Sequence, residues 1–169
     1  MLCHFPDLAR IYVLVREKNR PGATPASSLE RLRREVQESE VFDPLKKRVG
    51  ASFETFFEEK VQAVPGDMSQ ENLGLDHATY LHLQQEVDVI INCAAAVSFD
   101  APIDTSIGLN SLGPLRVLEF GEGCRNVLVA HVSTCYVNAT RRGVVPEEVL
   151  DPILTLGHVN GALQRPYDV

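Results

Sequence analysis

The sequence predicts an α/β fold, a parallel sheet with helices packed on both faces. Three observations predict it. Apolar, β-branched runs recur at 11–15 (IYVLV), 60–64 (KVQAV), 87–92 (VDVIIN) and 126–132 (NVLVAHV). Such runs lack the in–out alternation of half-exposed strands, as expected when a strand is buried on both faces. Segments with helical periodicity separate them, the order that builds βαβ units. Finally, residues with chemical capacity fall where these runs end: Arg16, Gly66-Asp67, Cys93-Ala94-Ala95 and Ser133-Thr134. In parallel sheets, ligands gather at the C-terminal ends of strands.

The elements follow in order. The first strand stops at Arg16, and NRPGATPASS (19–28) reads as a loop from its Pro, Gly and Ser content. Ser28 is the expected N-cap of a charged helix, LERLRREVQES. Asp43 is expected to cap a short helix, PLKKRV, with Pro44 at its first position. A second helical piece, SFETFFEEK, places Phe53, Phe56 and Phe57 at helical spacing, which fits core packing better than an acyl-chain groove. The strand at 60–64 runs into a Gly-Asp turn. Asp76 caps a helix over 76–86, and the strand at 87–92 follows. Residues 101–122 form a long helix that Pro114 should kink or split. After the strand at 126–132 the pattern fades from about residue 140, and residues 151–169 receive no assignment.

The net charge of −7 argues against a nucleic-acid backbone as partner. Four cysteines, Cys3, Cys93, Cys124 and Cys135, show neither C-x-x-C nor zinc spacing, so no metal site is expected. They read as reduced thiols, which points to the cytoplasm. MLCHFPDLAR lacks the pattern of a secretory signal, and no apolar run is long enough to span a bilayer. The five histidines show no ligand spacing, and His131 reads as a packed strand residue.

The segments FPDLARIYVLVR, ESEVFDPLKKR, VQAVPGDMSQENLGL, VDVIINCAAAVSFDAPIDTSIGLNSLGPLRVLEF and VSTCYVN occur in that order over roughly residues 5–150. With them the chain resembles the NAD(P)-binding domain of the fatty acyl-CoA reductases, the male-sterility group of extended short-chain dehydrogenases. STCYVN and CAAAVSFD are the more specific pieces. They look closer to bacterial alcohol-forming reductases than to sugar epimerases, and thioester-reductase domains of carboxylic acid reductases are the nearest competitors. The resemblance implies a Rossmann-like domain over 1–150, with 151–169 as a tail. It also implies that the chain is the middle of a longer enzyme. The family's opening strand and Gly-rich T-G-x-x-G-F-x-G turn are absent, and no lysine follows Lys60 to complete a Tyr-x-x-x-Lys pair. In the strand order 3-2-1-4-5 the absent strand is the central one. The strands at 11–15 and 87–92 would then pair directly, be completed by a strand from elsewhere (the rest of the domain or another copy of the chain), or leave the chain unstable. Little turnover is expected from residues 1–169 alone.

The site residues follow from the same resemblance, each beside a plainer alternative. Arg16, supported by Lys18, suits the 2′-phosphate of NADPH, because a guanidinium donates two parallel hydrogen bonds to one phosphate; the alternative is a solvated basic turn. Asp67 would contact the adenine amino group, or simply cap a turn. Cys93, Ala94 and Ala95 would let the cofactor's ribose and diphosphate approach the strand end; alanine also suits tight helix packing, and Cys93 reads as a small apolar filler. Asn110 matches an asparagine near the family's active site, or is a helix-surface polar residue. Thr134, with Ser133 close behind, would hydrogen-bond the substrate carbonyl, or satisfy the strand-end backbone. Two functions follow. One is part of an NADPH-dependent reductase of long-chain acyl-CoA. The other is a non-catalytic nucleotide-binding or interaction remnant.

Overall fold

The computed structural model describes residues 2, 5, 7–17, 27–98, 100–134, 143–148, 158–159 and 162–163. Lys18, Cys3, Cys135, Tyr136 and Tyr167 lie outside the described residues. The chain divides into two compact units, Met1–Ala130 and His131–Val169.

The first unit carries most of the architecture. Strand β1 (Ile11–Val15) is followed by α1 (Ser28–Arg31), which widens into π turns over Leu32–Gln37. Helices α2 (Asp43–Val49) and α3 (Phe53–Lys60) lead into β2 (Val61–Pro65). Then come α4 (His77–Glu86) and β3 (Val89–Asn92). Helix α5 (Ile103–Ile107), a π segment (Gly108–Leu112) and α6 (Gly113–Glu122) run on to β4 (Leu128–His131). In the second unit the described residues include a short antiparallel pair, β5 (His158–Val159) and β6 (Ala162–Leu163).

β1 and β2 are parallel, in register from Ile11 opposite Val61 to Val15 opposite Pro65. Successive side chains on a strand face opposite ways, and both faces of this pair are covered. Val15 and Val61, with Ile11, Val13 and Ala63, join Leu32, Leu45, Phe53 and Phe57 in one apolar cluster. Tyr12 and Val64 face the other way, into a second cluster with Met68, Leu73, Leu75, Leu83, Val117 and Phe120. Phe57 meets Phe42 edge-on, ring centroids 5.4 Å apart, and Phe53 packs beside both. The phenylalanines of α3 are therefore core.

β3 and β4 form a second, separate two-stranded sheet. Among the described residues β1 and β3 are not neighbours, so direct pairing of those two strands does not occur and each keeps an unpaired edge. The expected burial on both faces is only partly met in β1 and β2, where Leu14 is 38% exposed, and fails in the other pair: Val89 and Ile91 are each 49% exposed, and Leu128 is 66% exposed. A strand lacking a neighbour on one side is left with both backbone groups and side chains open.

Three local expectations are corrected. The N-cap of α1 is Ser27, not Ser28. Ser27 Oγ accepts the Glu30 N–H while Glu30 reaches back to the Ser27 N–H, a capping box that requires an acid three residues on. Ser28 is the buried first helical residue. Asp43 likewise lies inside α2, with Phe42 at the cap and Pro44 in the first turn. His131 is exposed rather than packed. The expected break near Pro114 is present: π turns over 108–112 precede Pro114 in the first turn of α6.

Candidate functional site

Two groups of residues gather at the C-terminal ends of strands in the first unit. The first lies where β1 and β2 stop. The Gly66 N–H donates to the Val15 carbonyl (3.3 Å), which carries the parallel pairing one residue past the strands. A side chain at Gly66 would meet Leu14 Cδ1 at 2.4 Å and the Leu73 carbonyl at 2.7 Å, so only glycine lets the chain turn here. Asp67 follows, and its loop is closed tightly. The Asp67 N–H donates to the Leu73 carbonyl (2.7 Å), and Asp67 Oδ1 accepts from both the Ser69 N–H (2.8 Å) and the Ser69 hydroxyl (2.6 Å). Asn72, Leu73 and Gly74 all adopt positive φ (51°, 59° and 66°), a left-handed run costly for the two non-glycine residues. Buried Leu73 offsets that cost by anchoring in the second apolar cluster.

Arg16 and Asp67, predicted separately from two strand ends, are brought together here. Arg16 Nη1 lies 3.9 Å from Asp67 Oδ2. The Arg16 side chain is 56% exposed and that of Asp67 22%, so the guanidinium remains open to an anion from solvent. Arg31, from the end of α1, donates through Nη1 to the Arg16 carbonyl. Its other nitrogens hold Glu35, with Nε to Oε1 at 3.2 Å and Nη2 to Oε2 at 2.7 Å.

The second group lies at the end of β3. Asn92 is buried. Its Oδ1 accepts the Ala94 N–H (3.3 Å), while its Nδ2 has no partner. Cys93, Ala94 and Ala95 then run out as exposed small residues. The expected filler role of Cys93 is not what the fold gives it: the thiol is free and exposed. Asn110 sits in the π turns between α5 and α6 and clamps this segment. Its Oδ1 accepts the Ala96 N–H (2.8 Å) and its Nδ2 donates to the Ala96 carbonyl (3.0 Å). Both ends of the carboxamide are thus engaged with the backbone of one residue, as a β-ladder partner would be. Asn110 is neither an idle surface group nor a free one.

Ser133 and Thr134 lie just past β4, both exposed, in the second unit. Among the described residues two groups have raised pKa values, both away from these strand ends. Burial raises the Cys124 thiol, and burial followed by the nearby Glu119 and Cys124 raises Tyr80. Among the described residues no His, Cys, Asp or Glu group could hold a metal ion. None of the described helices is long and apolar enough to cross a membrane.

The donor set suits the phosphoadenosine end of a dinucleotide. An exposed guanidinium fits a phosphate, and a carboxylate whose Oδ2 lies outside the Ser69 turn fits an amino group. Exposed alanines leave room for a sugar against the backbone. Sequence reasoning missed three contributors. Asn92 carried a signal, since asparagine is depleted within strands. Ser69, two residues after an aspartate, matched an Asx turn. Arg31 carried none, being fifteen positions from the carbonyl that it holds.

The male sterility protein family matches residues 1–163. The Arabidopsis thaliana protein named "Probable fatty acyl-CoA reductase 5" is 38% identical over 146 residues, covering 85% of this chain and 28% of that protein. "Fatty acyl-CoA reductase 2, chloroplastic" of the same plant is 36% identical over 144 residues. "Alcohol-forming fatty acyl-CoA reductase" of Simmondsia chinensis is 34% identical over 145, again covering 85% of this chain and 28% of that protein. The chain thus spans under a third of the length of these relatives. Among solved structures, the terminal R domain from the myxalamid PKS-NRPS biosynthetic pathway superposes with a TM-score of 0.65 at 27% identity. That match covers 98% of this chain and 38% of the R domain.

Proposed function

The chain belongs to the male sterility family of nicotinamide-nucleotide-binding reductase domains, and from that premise we propose that it forms the cofactor-binding part of an NADPH-dependent reductase of long-chain acyl thioesters. The observation that carries the reading is the meeting of Arg16 and Asp67 at the ends of neighbouring parallel strands. One is a phosphate reader and the other an amino-group reader, and they stand side by side where such a sheet presents its ligand.

When bound, the nicotinamide supplies the hydride. The chain's own residues position and stabilise. The Arg16 guanidinium donates to the 2′-phosphate, with Lys18 as a second cation. Asp67 Oδ2 accepts from the adenine amino group. Cys93, Ala94 and Ala95 let the ribose lie close to the backbone, and Asn110 keeps that segment in place through Ala96. Thr134, assisted by Ser133, donates its hydroxyl proton in a hydrogen bond to the thioester oxygen as negative charge develops there. One such donor is worth about 10²–10³ in rate. The C–S bond breaks as the aldehyde carbonyl re-forms, and CoA leaves as a thiolate that takes a proton from solvent; a second hydride from another NADPH, with a proton from solvent, gives the alcohol. The free thiols of Cys93 and Cys124 fit a reducing compartment such as the cytoplasm.

A second reading, a nucleotide-binding module without turnover, is favoured by the unpaired edges of β1 and β3. The two readings are separated with protein isolated from the cells that make it. It is given a long-chain acyl-CoA and NADPH deuterated at the reacting nicotinamide carbon. Reductase function places deuterium in a long-chain aldehyde or alcohol, at a rate lowered about 10²-fold or more in Thr134→Val. Nucleotide binding without label transfer leaves the module reading standing.

A further inference from the structure

Arg31 is a basic residue on a short helix, and by sequence it belongs to the charged run of Arg31, Arg33 and Arg34. The structure sets it apart from the other two. Arg33 and Arg34 have side chains 55% and 69% exposed, whereas that of Arg31 is 14% exposed. Each of its three guanidinium nitrogens is engaged. Nε and Nη2 form a two-point contact with the Glu35 carboxylate one turn along, and Nη1 donates to the backbone carbonyl of Arg16. That carbonyl is where β1 ends. It lies beyond the last residue paired to β2, so β-ladder bonding does not fix it.

We propose that Arg31 is a positioning residue for cofactor discrimination: oriented by Glu35, it fixes the Arg16 backbone and so aims the Arg16 guanidinium at the 2′-phosphate. The inference rests on the phosphate-reading role of Arg16 proposed above. Glu35 is essential to it for two reasons. It neutralises a largely buried cation, and it holds the planar fork so that the third donor points back at the strand end. Lysine cannot substitute, because a single ammonium cannot span both partners from that position. The arrangement differs from a second phosphate ligand, which would be open to solvent, whereas the Arg31 side chain is 14% exposed, and would gain from removal of the neighbouring carboxylate.

The test is a calorimetric titration of purified chain with NADPH and, separately, NADH, for the parent, Arg31→Lys and Glu35→Gln. Positioning predicts that both variants lose about tenfold in preference for NADPH, the scale of one charge-assisted hydrogen bond, while NADH affinity stays within twofold. A purely structural role would lower both affinities together and would overturn the proposal. So would a Glu35→Gln variant that binds NADPH more tightly, which would make Arg31 a direct ligand. A parent chain that binds both nucleotides equally would overturn the phosphate-reading role of Arg16 and this inference with it. A parent that prefers NADPH alongside an unchanged Arg31→Lys would overturn the inference alone. Circular dichroism of each variant, matching the parent, separates these outcomes from misfolding.

Discussion

Asn110 shows what a single carboxamide does for a strand end. Its oxygen and nitrogen both engage Ala96, so the run from Cys93 is held to the helix that follows it. Replacing it with alanine removes two hydrogen bonds from a residue whose backbone lies beyond the sheet ladder. The expected cost is about 1 kcal/mol of stability, with faster hydrogen exchange at the Ala96 amide and little change at β1 or β2. Amide exchange read by mass spectrometry or NMR checks this; an unchanged Ala96 would mean that the clamp is not holding the segment. At this scale the sequence was legible where chemistry is local. Arg16 and Asp67 could be singled out because each ends an apolar run. Their 3.9 Å approach could not, because it depends on the parallel register of two strands fifty residues apart. The holding role of Arg31 was hidden for the same reason, since it depends on a partner that only the fold supplies.

The elements differ in how far local signals determined them. Helix α4 begins where Asp76 says it should, with Oδ1 accepting the Thr79 N–H (3.0 Å) and Oδ2 the Thr79 hydroxyl (2.6 Å). These bonds, the hydroxyl first, hold the Asp76 carboxyl below its usual range. A carboxyl with a lowered folded value adds stability above its unfolded value of about 4, and that contribution is lost as pH falls through the folded value. The stability gap between the parent and Asp76→Ala should therefore be flat at neutral pH and close progressively below about pH 4. Urea melts across that range check it; a gap that persists at the acid end would assign the effect to something other than the ionised cap. Helix α1 was placed one residue late, because the capping box of Ser27 and Glu30 outweighs Ser28 as a start signal. The π turns at 32–37 and 108–112 left no trace in periodicity. An added residue per turn shifts the apolar stripe by less than a short segment can reveal.

At the scale of the molecule, the predicted alternation of strands and helices is present, yet the described strands of the first unit form two separate pairs instead of one sheet. The β1–β2 pair is covered on both faces by two apolar clusters. Arg16 and Asp67, proposed to read the phosphate and the amino group, stand at the ends of that pair. β3 and β4, half open to solvent, carry the alanine segment and lead to Ser133 and Thr134. The account therefore separates two capacities. On the proposed function, recognition of the phosphoadenosine end falls to the β1–β2 pair. Hydride transfer is proposed to call on Thr134 and Ser133 as well, and with the described strands in separate pairs residues 1–169 alone should turn over little or no acyl-CoA.

The most direct test of the central claim is equilibrium binding of NADPH to the purified chain, with NADH as comparison and Arg16→Glu as control. The account predicts binding that favours NADPH, and loss of that preference by tenfold or more, on the order of one charge-assisted contact, when Arg16 becomes acidic. A folded chain that binds neither nucleotide, or that binds both equally whether residue 16 is basic or acidic, would contradict it.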